Sequence, residues 1–254
     1  MSNLRVYSIT SLMKMKSNPH YLSAKNGNLD EARTLVEELM NGKTLCPISS
    51  NEILLPIIAQ EENGRNKIPF AIALYISELY GNTIETDIVQ EVRANHTGSS
   101  ASKRLKNVLF KRYSEYPLAN NEYIIIDDYI TMGGTVASLA KYIRNNGGVV
   151  NKVITISSGT RTIKDTVGFQ DITPTQEEVN AVREKFGDWI EEYADMKYEE
   201  MPAPTIRYLL RFNNLENFKN RVIESNEYEK LSEKESLNLW GEFQEDYFAF
   251  LFGK

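Results

Sequence analysis

Three short apolar runs along the chain predict buried strands of a parallel sheet. Residues 53–58 (Ile-Leu-Leu-Pro-Ile-Ile), 123–126 and 149–157 are rich in isoleucine, leucine and valine. Such runs are typical of strands that are covered on both faces. Pro56 cannot donate a ladder hydrogen bond, which favours a position of the first run towards a sheet edge.

Helical spacing predicts three helices around these strands. Before the first strand, five apolar residues follow a capping residue, Asn28 or Asp30, at helical intervals: Ala32, Leu35, Val36, Leu39 and Met40. Residues 69–80 and 135–145 form two further predicted helices, each ended by a glycine-containing turn. Because a strand precedes and follows the helix at 135–145, the three elements predict a parallel unit with helices on both sheet faces.

The chain changes character after Gly168. Residues 177–193, 206–223 and 234–252 have helical patterns separated by prolines, and the last is rich in aromatic residues. We predict that this aromatic tail packs as a helical cap on the core, with a partner or base-stacking surface as the alternative. The predicted division of the chain has three parts: an N-terminal helical or hood segment at 1–45, a core at 46–165 and an acidic helical region at 166–254.

The net charge of −6 is unevenly distributed. Residues 1–164 carry 19 basic and 15 acidic side chains, a balance of +4, whereas residues 165–254 carry 10 and 20, a balance of −10. The first part can therefore host an anionic ligand. The acidic second part argues against a nucleic-acid partner, and a solvated helical surface is the simpler interpretation of its charge.

Composition points to an ordinary globular protein. Hydrophobic residues make up 41% and charged residues 25% of the chain. Cys46 is the single cysteine, so no intrachain disulfide can form. Residues 1–10 lack the apolar stretch of a signal peptide, and no apolar run approaches the roughly 20 residues of a membrane span. We therefore expect a cytoplasmic location and no membrane partner.

The segment with the clearest chemistry joins the strand at 123–126 to the following helix. Two carboxylates, Asp127 and Asp128, end the strand, and Gly133 and Gly134 precede the helix. Glycines allow several backbone N–H groups to face one point, and the helix start adds its own N–H groups, so a phosphate is favoured there. The two acids suit sugar hydroxyls or Mg²⁺ carried by the ligand. The simpler alternative is a glycine turn beside two solvated aspartates.

The sequence of residues 125–135, Ile-Ile-Asp-Asp-Tyr-Ile-Thr-Met-Gly-Gly-Thr, resembles the 5-phosphoribosyl-1-pyrophosphate (PRPP) signature of type I phosphoribosyltransferases. This resemblance implies a Rossmann-like parallel α/β core with an added helical C-terminal region. It also implies that Asp127 and Asp128 hold the ribose hydroxyls and, mainly through the ligand, Mg²⁺ as the cofactor. The 5′-phosphate would lie among the residues of the loop: Thr131, Met132, Gly133, Gly134 and Thr135.

Two residues depart from the family pattern. Met132 stands where many members have a threonine whose hydroxyl touches the phosphate, so one side-chain hydrogen bond is lost while the backbone donors remain. Thr131 occupies the position at which 6-oxopurine enzymes carry an aspartate that contacts the base. This second departure speaks against a hypoxanthine-guanine enzyme.

Two other loops match family features less closely. The loop after the first strand has the place of a pyrophosphate loop, with Gln60, Asn63, Gly64 and Arg65 as the implied contacts. Glu61 and Glu62 are unusual neighbours for pyrophosphate unless they face Mg²⁺ or solvent. A plain surface loop is the alternative.

The basic, Gly/Ser-rich stretch at 92–107 has the place of a mobile lid, with a flexible basic loop as the alternative. Its spacing of Arg93, Thr97, Arg104, Asn107 and Phe110 resembles the lid of competence-type (ComF-like) phosphoribosyltransferases. Three basic residues could then neutralise the departing pyrophosphate: Arg93, Lys103 and Arg104. His96 could carry a proton, although a single loop histidine is more often incidental.

The implied activity is transfer of the 5-phosphoribosyl group from PRPP to a small nitrogen acceptor, with release of pyrophosphate. Asp127, Asp128 and Arg93 are the predicted catalytic residues, and residues 157–161 are candidates for the acceptor side. Two alternatives stay open: a non-catalytic PRPP-binding regulator, and a hydrolase of PRPP or of a nucleotide. A homodimer is a further expectation from the family.

Overall fold

The computed structural model describes residues 4–62, 64–93, 105–159, 167–223 and 229–253, with backbone alone at residues 221–223. Its strands are β1 (Arg5–Ser8), β2 (Ile53–Pro56), β3 (Gln60–Glu61), β4 (Gly64–Arg65), β5 (Ile88–Gln90), β6 (Phe110–Arg112), β7 (Glu122–Ile130), β8 (Val149–Ser158) and β9 (Gly168–Asp171). Its helices are α1 (Leu12–Lys16), α2 (Tyr21–Lys25), α3 (Leu29–Met40), α4 (Ile68–Tyr80), α5 (Gly134–Asn145), α6 (Gln176–Phe186), α7 (Trp189–Ala194), α8 (Ala203–Leu209), α9 (Leu215–Ile223) and α10 (Glu233–Phe252).

The central sheet has five strands in the order β2-β7-β8-β1-β9. The first four run parallel, and β9 pairs antiparallel with β1 at one edge. Ile125 of β7 lies in register with Leu55 of β2 and Val153 of β8. The fold is therefore an α/β core built on a mostly parallel sheet, with helices α6 to α10 added after it, which confirms the predicted fold class.

Alternate residues of the central strands pack into two apolar layers, one on each face of the sheet. Ile124 and Ile126 of β7 belong to the layer that contains α3 and α4. Tyr123 and Ile125 belong to the layer that contains α5. Because helices cover both faces, neither face of β7 needs polar residues until the strand nears its carboxyl end.

Strand β7 is longer than its apolar run predicted. It continues past Ile126 to Ile130, so that both acids lie within the strand instead of after it. Asp127 pairs with Thr155 and Tyr129 with Ser157, because β8 also extends to Ser158. The loop before α5 is correspondingly short. Hydropathy could not show this, because backbone pairing with a neighbouring strand maintains these polar residues in extended conformation.

Strand β2 ends at Pro56, two residues before the end of its apolar run, and lies at the outer edge of the sheet. Pairing to β7 continues one residue further, because the Ile57 N–H donates to the Ile126 carbonyl at 2.9 Å. Pro56 thus occupies an edge strand, where its missing N–H costs least.

Two strands of the sheet come from segments that were predicted to be helical. Residues 1–45 contribute β1, and the C-terminal region contributes β9. Each has four residues, too few for a clear alternating pattern in the sequence. The predicted boundaries at 45 and 165 stay a prediction, but the sheet itself draws on all three predicted parts of the chain.

Helices α6 to α9 form a separate apolar cluster that includes Phe186, Ile206 and Phe218. The helix predicted at 177–193 is broken between α6 and α7 at Gly187, whose φ of 57° ends the first helix. Residues 206–223 are likewise split, between α8 and α9.

Helix α10 packs on the core through Leu239, Phe243 and Tyr247, as predicted for the aromatic tail. Phe243 is buried and lies edge-to-face on Phe70 of α4, with ring centroids 5.4 Å apart. Phe248, Leu251 and Phe252 at its end are exposed. Within the described ranges, neither α10 nor any other helix combines the length and apolar character that crossing a membrane requires.

Candidate functional site

A cavity of about 420 Å³ opens where β7 ends and α5 begins. Its walls come from four parts of the chain: α1 and α2, the segment at 57–69, Gln90 of β5, and all of residues 127–136. This position is the carboxyl-end crevice in which parallel α/β sheets bind their ligands. The predicted phosphate loop and both predicted acids therefore line the same cavity.

The turn before α5 has the geometry of an anion site. Gly133 adopts a left-handed conformation, with φ of 81°, and stands at the N-cap of α5 without a side-chain capping bond. A helix N-terminus offers unpaired backbone N–H groups and the positive end of the helix dipole. Thr131, Gly134 and Thr135 also line the cavity. The turn therefore places backbone and hydroxyl donors at the wall of the cavity.

The C-terminal region packs directly behind this turn. A Cβ added at Gly133 would lie 3.1 Å from Cγ of Pro202. The Thr205 hydroxyl of α8 donates to the Met132 carbonyl at 3.2 Å. Met132 itself is buried and belongs to the apolar cluster of α6 to α9. The departure at Met132 thus has a structural reason, because this side chain anchors the turn to the added helices.

The two acids of β7 differ in surroundings. The Asp127 carboxylate accepts the backbone N–H of Asp128 at 2.9 Å. Burial, reinforced by the neighbouring Asp128 carboxylate, raises the pKa of Asp127 well above its usual range. Asp128 is 5% exposed. Its Oδ2 accepts a charged hydrogen bond from Lys25 Nζ at 2.8 Å.

Lys25 is a residue of the cavity that the sequence did not predict. It ends α2, and its ammonium bridges Asp128 and Glu61, the latter at 2.7 Å. Burial opposes the charged form, but the two carboxylates outweigh it and raise the pKa of Lys25. Burial also raises the pKa of Glu61, against the opposite effect of Lys25. The only hint in the sequence was a basic residue before the Asn26-Gly27 turn.

The predicted pyrophosphate loop is a short hairpin of β3 and β4. Gln60 and Arg65 pair across it, and Arg65 Nε donates to Gln60 Oε1 at 3.1 Å. The Arg65 guanidinium also pairs with Glu242 of α10. Glu61 and Glu62 line the cavity, whereas Arg65 does not. Asn63 lies outside the described residues.

Gly64 of this hairpin is in close contact with the turn after α2. Its φ is 154°, and an added Cβ would lie 2.5 Å from the Asn26 carbonyl oxygen. Backbone cannot yield as a flexible side chain can. The hairpin therefore stays in place relative to Lys25 only with glycine at this position.

We expect Gly64→Ala to lower the free energy of unfolding by about 1–3 kcal/mol, through overpacking and backbone strain. Urea denaturation measures the loss. Gly241→Ala in α10 is the matched control, because an added Cβ meets nothing within 4 Å there and alanine favours a helix. Equal stability of the two variants would contradict the predicted clash.

Of the predicted lid, Arg93 is described and is not among the residues that line the cavity. Its guanidinium pairs with Glu235 of α10 at 2.9 Å and with Glu229 at 3.4 Å. Asn107 donates to Asp195 at 3.0 Å, and Phe110 begins β6. The other lid candidates, His96, Thr97, Lys103 and Arg104, lie outside the described residues.

The predicted acceptor segment at 157–161 is described as far as Gly159. Ser158 and Ser8 share a buried hydroxyl hydrogen bond of 2.6 Å, which ties β8 to β1. Tyr129, which lines the cavity, donates its hydroxyl to the Gly159 carbonyl. Thr160 and Arg161 lie outside the described residues.

No protein-family model matches the chain. Over 144 residues it is 35% identical to Protein TraN of Escherichia coli, a match that covers 55% of this chain and 32% of TraN. Over 133 residues it is 33% identical to an uncharacterized protein of Haemophilus influenzae, covering 50% of this chain and 29% of that protein. A shorter match of 52 residues is 44% identical to an orotate phosphoribosyltransferase of Picrophilus torridus, covering 20% of this chain and 31% of that one.

The chain thus spans about a third of the length of the curated relatives it matches. Among solved structures it is similar to an adenine phosphoribosyltransferase from Thermoanaerobacter pseudethanolicus (14% identity, TM-score 0.28, 51% of this chain and 67% of that one). It is also similar to a hypoxanthine phosphoribosyltransferase from Trypanosoma cruzi (12%, 0.30, 55% and 67%). Such scores add nothing to the strand order, which alone establishes the mostly parallel α/β fold.

Proposed function

We propose that the chain binds PRPP in the cavity between β7 and α5 and is a phosphoribosyltransferase of type I. One observation carries the proposal. The acids Asp127 and Asp128 and the glycine turn at Gly133 line one cavity, at the carboxyl ends of parallel strands. A ribose 5-phosphate has hydroxyls at one end and a phosphate at the other, and this order of groups matches it.

The phosphate end of the proposed site relies on backbone. The left-handed turn at Gly133 and the first residues of α5 supply N–H donors, and Thr131 and Thr135 can add hydroxyls. The helix dipole contributes only about 0.3–1 kcal/mol at an exposed site. Several convergent hydrogen bonds to the anion must therefore supply most of the affinity.

The ribose end of the proposed site relies on the two carboxylates. Within the described part of the chain, no three His, Cys, Asp or Glu side chains cluster as a metal site. Mg²⁺ is usually held by one or two carboxylates together with waters and substrate phosphates, so Asp127 and Asp128 fit a cation that arrives with the ligand. Bound there, Mg²⁺ would offset the negative charge of the pyrophosphate group.

In the proposed reaction a nitrogen of the acceptor forms a bond to ribose C1 and releases its proton to water, while the bond from C1 to pyrophosphate oxygen breaks. The electron pair of the broken bond leaves with pyrophosphate. The protein would hold the sugar in place through Asp127, Asp128 and the phosphate turn. Arg93 is the proposed lid cation for the departing pyrophosphate, although it is paired with Glu229 and Glu235 in this structure.

The local match to an orotate phosphoribosyltransferase supports this activity class. It covers a fifth of the chain, so it supports the class of ligand more than the identity of the acceptor. The nitrogen acceptor, a homodimer and a cytoplasmic location remain predictions.

A non-catalytic PRPP-binding regulator is the second candidate, and the ion pairs favour it. Arg65 and Arg93, the described cations that were predicted to face pyrophosphate, are both paired with carboxylates of α10. In this arrangement the cavity can hold a ligand without assisting the departure of pyrophosphate. Helix α10 would then report on ligand binding to a partner.

One experiment separates these candidates from a PRPP hydrolase. The chain is titrated with PRPP and Mg²⁺ in a calorimeter, and pyrophosphate release is then measured with and without a panel of nucleobases. Release that requires a base supports the transferase, release without a base supports the hydrolase, and binding without release supports the regulator. Absence of any binding heat would contradict the proposed ligand.

A further inference from the structure

We propose that Lys25 is a further ligand-contacting residue of this site, which distinguishes a ribose that carries a diphosphate on C1 from a ribose that does not. This inference rests on the proposed function. It concerns the part of the cavity wall where Lys25 lies between Asp128 and the hairpin of β3 and β4.

The first argument is the charge of the cavity wall. Four carboxylates belong to the described residues that line it: Asp127, Asp128, Glu61 and Glu62. Among those same residues the lysines are Lys16 and Lys25. A diphosphate needs cations close by, and Arg65, the residue that the sequence pattern assigned to it, is turned towards Glu242. Lys25 is the cation that the fold places beside the acid pair.

The second argument is that the backbone around Lys25 is fixed to the hairpin. The Lys67 N–H donates to the Ala24 carbonyl at 3.2 Å. On the other side of Lys25, the Asn26 carbonyl lies so close to Gly64 that a Cβ there would be 2.5 Å away. The main chain that carries Lys25 is thus held next to the hairpin on both sides, and the ion pairs with Asp128 and Glu61 position its ammonium.

The third argument is that ligand binding would affect the two partners of Lys25 differently. Asp128 is assigned to a ribose hydroxyl or to the ligand's Mg²⁺, and either would compete with the ammonium for its carboxylate. Glu61 would remain as the second partner at 2.7 Å. Lys25 can therefore exchange Asp128 for an anionic oxygen of the diphosphate and still stay paired. Binding ribose 5-phosphate, which lacks that group, offers no such exchange.

The test compares PRPP with ribose 5-phosphate, each titrated calorimetrically with Mg²⁺ into the whole chain. We expect Lys25→Met to weaken PRPP binding by at least about tenfold and to change ribose 5-phosphate binding by less than about twofold. Lys25→Arg should restore part of the PRPP affinity. Lys14→Met, an exposed residue of α1 outside the cavity wall, controls for the change in net charge.

The outcomes separate the possible roles of Lys25. If Lys25→Met weakens the binding of both ligands equally, Lys25 only orients Asp128. If the variant binds both ligands more tightly, Lys25 blocks the site. Either result overturns the proposal, as does unchanged PRPP binding. If Lys25→Met does not fold, Lys25→Gln takes its place, because the amide can still donate to Asp128 or Glu61; the same selective loss of PRPP affinity is expected, and unchanged PRPP affinity overturns the proposal.

The same titrations show whether the proposed function has failed instead. Wild-type protein that binds neither ligand contradicts the phosphate site itself, and with it the inference. If the wild-type protein binds ribose 5-phosphate as tightly as PRPP, the proposed phosphate site at Gly133 is retained and only the proposed role of Lys25 is overturned.

Discussion

Replacing Asp128 with asparagine is expected to weaken PRPP binding by about 100-fold or more and to leave the fold intact. The carboxylate is buried and charged, and removal of a charged hydrogen-bonding partner from such a position costs about 3 kcal/mol. Asparagine keeps the shape and one acceptor oxygen, so Lys25 can still be bonded on both sides. It loses the second acceptor and the charge that ribose hydroxyls or Mg²⁺ would need.

Two measurements check this prediction. Calorimetry with PRPP and Mg²⁺ gives the change in affinity, and urea denaturation shows that stability changes by no more than about 1 kcal/mol. Asp171→Asn is the matched control, because Asp171 is an exposed residue of β9 in the same sheet. Wild-type affinity in the Asp128 variant would show that this residue does not contact the ligand. The proposed function would then lose its main support.

The core of the fold could be predicted because its residues obey local rules. The apolar runs that became β2, β7 and β8 had to be covered on both faces, and a strand, helix and strand in succession had to be parallel. The helix caps were readable for the same reason, as the Asn28 side chain at the start of α3 shows. Strands β1 and β9 were not predicted. Each has only four residues, and each pairs with a strand more than 100 residues away in the chain.

That Asp127, Asp128 and the turn at Gly133 line one cavity could also be predicted, because one continuous segment holds all of them. The contacts of Lys25 with Glu61 and Asp128 could not be predicted, because they form only once α2, the hairpin and β7 are brought together. Arg65 shows the converse. Its position in the sequence suited a ligand contact, but the hairpin turns its side chain towards Glu242, which comes 177 residues later in the chain. Charge complementarity at such separations is decided by tertiary structure.

The ion pairs between α10 and the segment after the hairpin lead to the second large prediction. The Lys67 side chain is 2% exposed, and its Nζ lies 2.5 Å from Glu242 and 2.7 Å from Asp246. The same Nζ lies 3.7 Å from the centroid of the Phe243 ring. Glu242 and Asp246 are 37% and 27% exposed. The lysine is therefore the member of the cluster that water cannot reach.

This difference in burial predicts that removing the acids costs more than removing the lysine. In the double variant Glu242→Gln with Asp246→Asn, the ammonium stays buried without a counter-charge, which costs about 3–5 kcal/mol. In Lys67→Met, the two carboxylates can be hydrated, and the thioether can pack on Phe243, so we expect a cost of about 1 kcal/mol or less.

Urea denaturation of both variants measures the difference, and the triple variant that combines all three changes should recover most of the lost stability. Glu78→Gln is the matched control, because Glu78 pairs with Arg33 where both side chains are more than 40% exposed, and such a pair contributes about 0–1 kcal/mol. If Lys67→Met proves as costly as the double variant, the carboxylates depend on the lysine as much as it depends on them. The stability of the α10 contact would then depend equally on Lys67 and on the two carboxylates, and burial of the ammonium would not explain it.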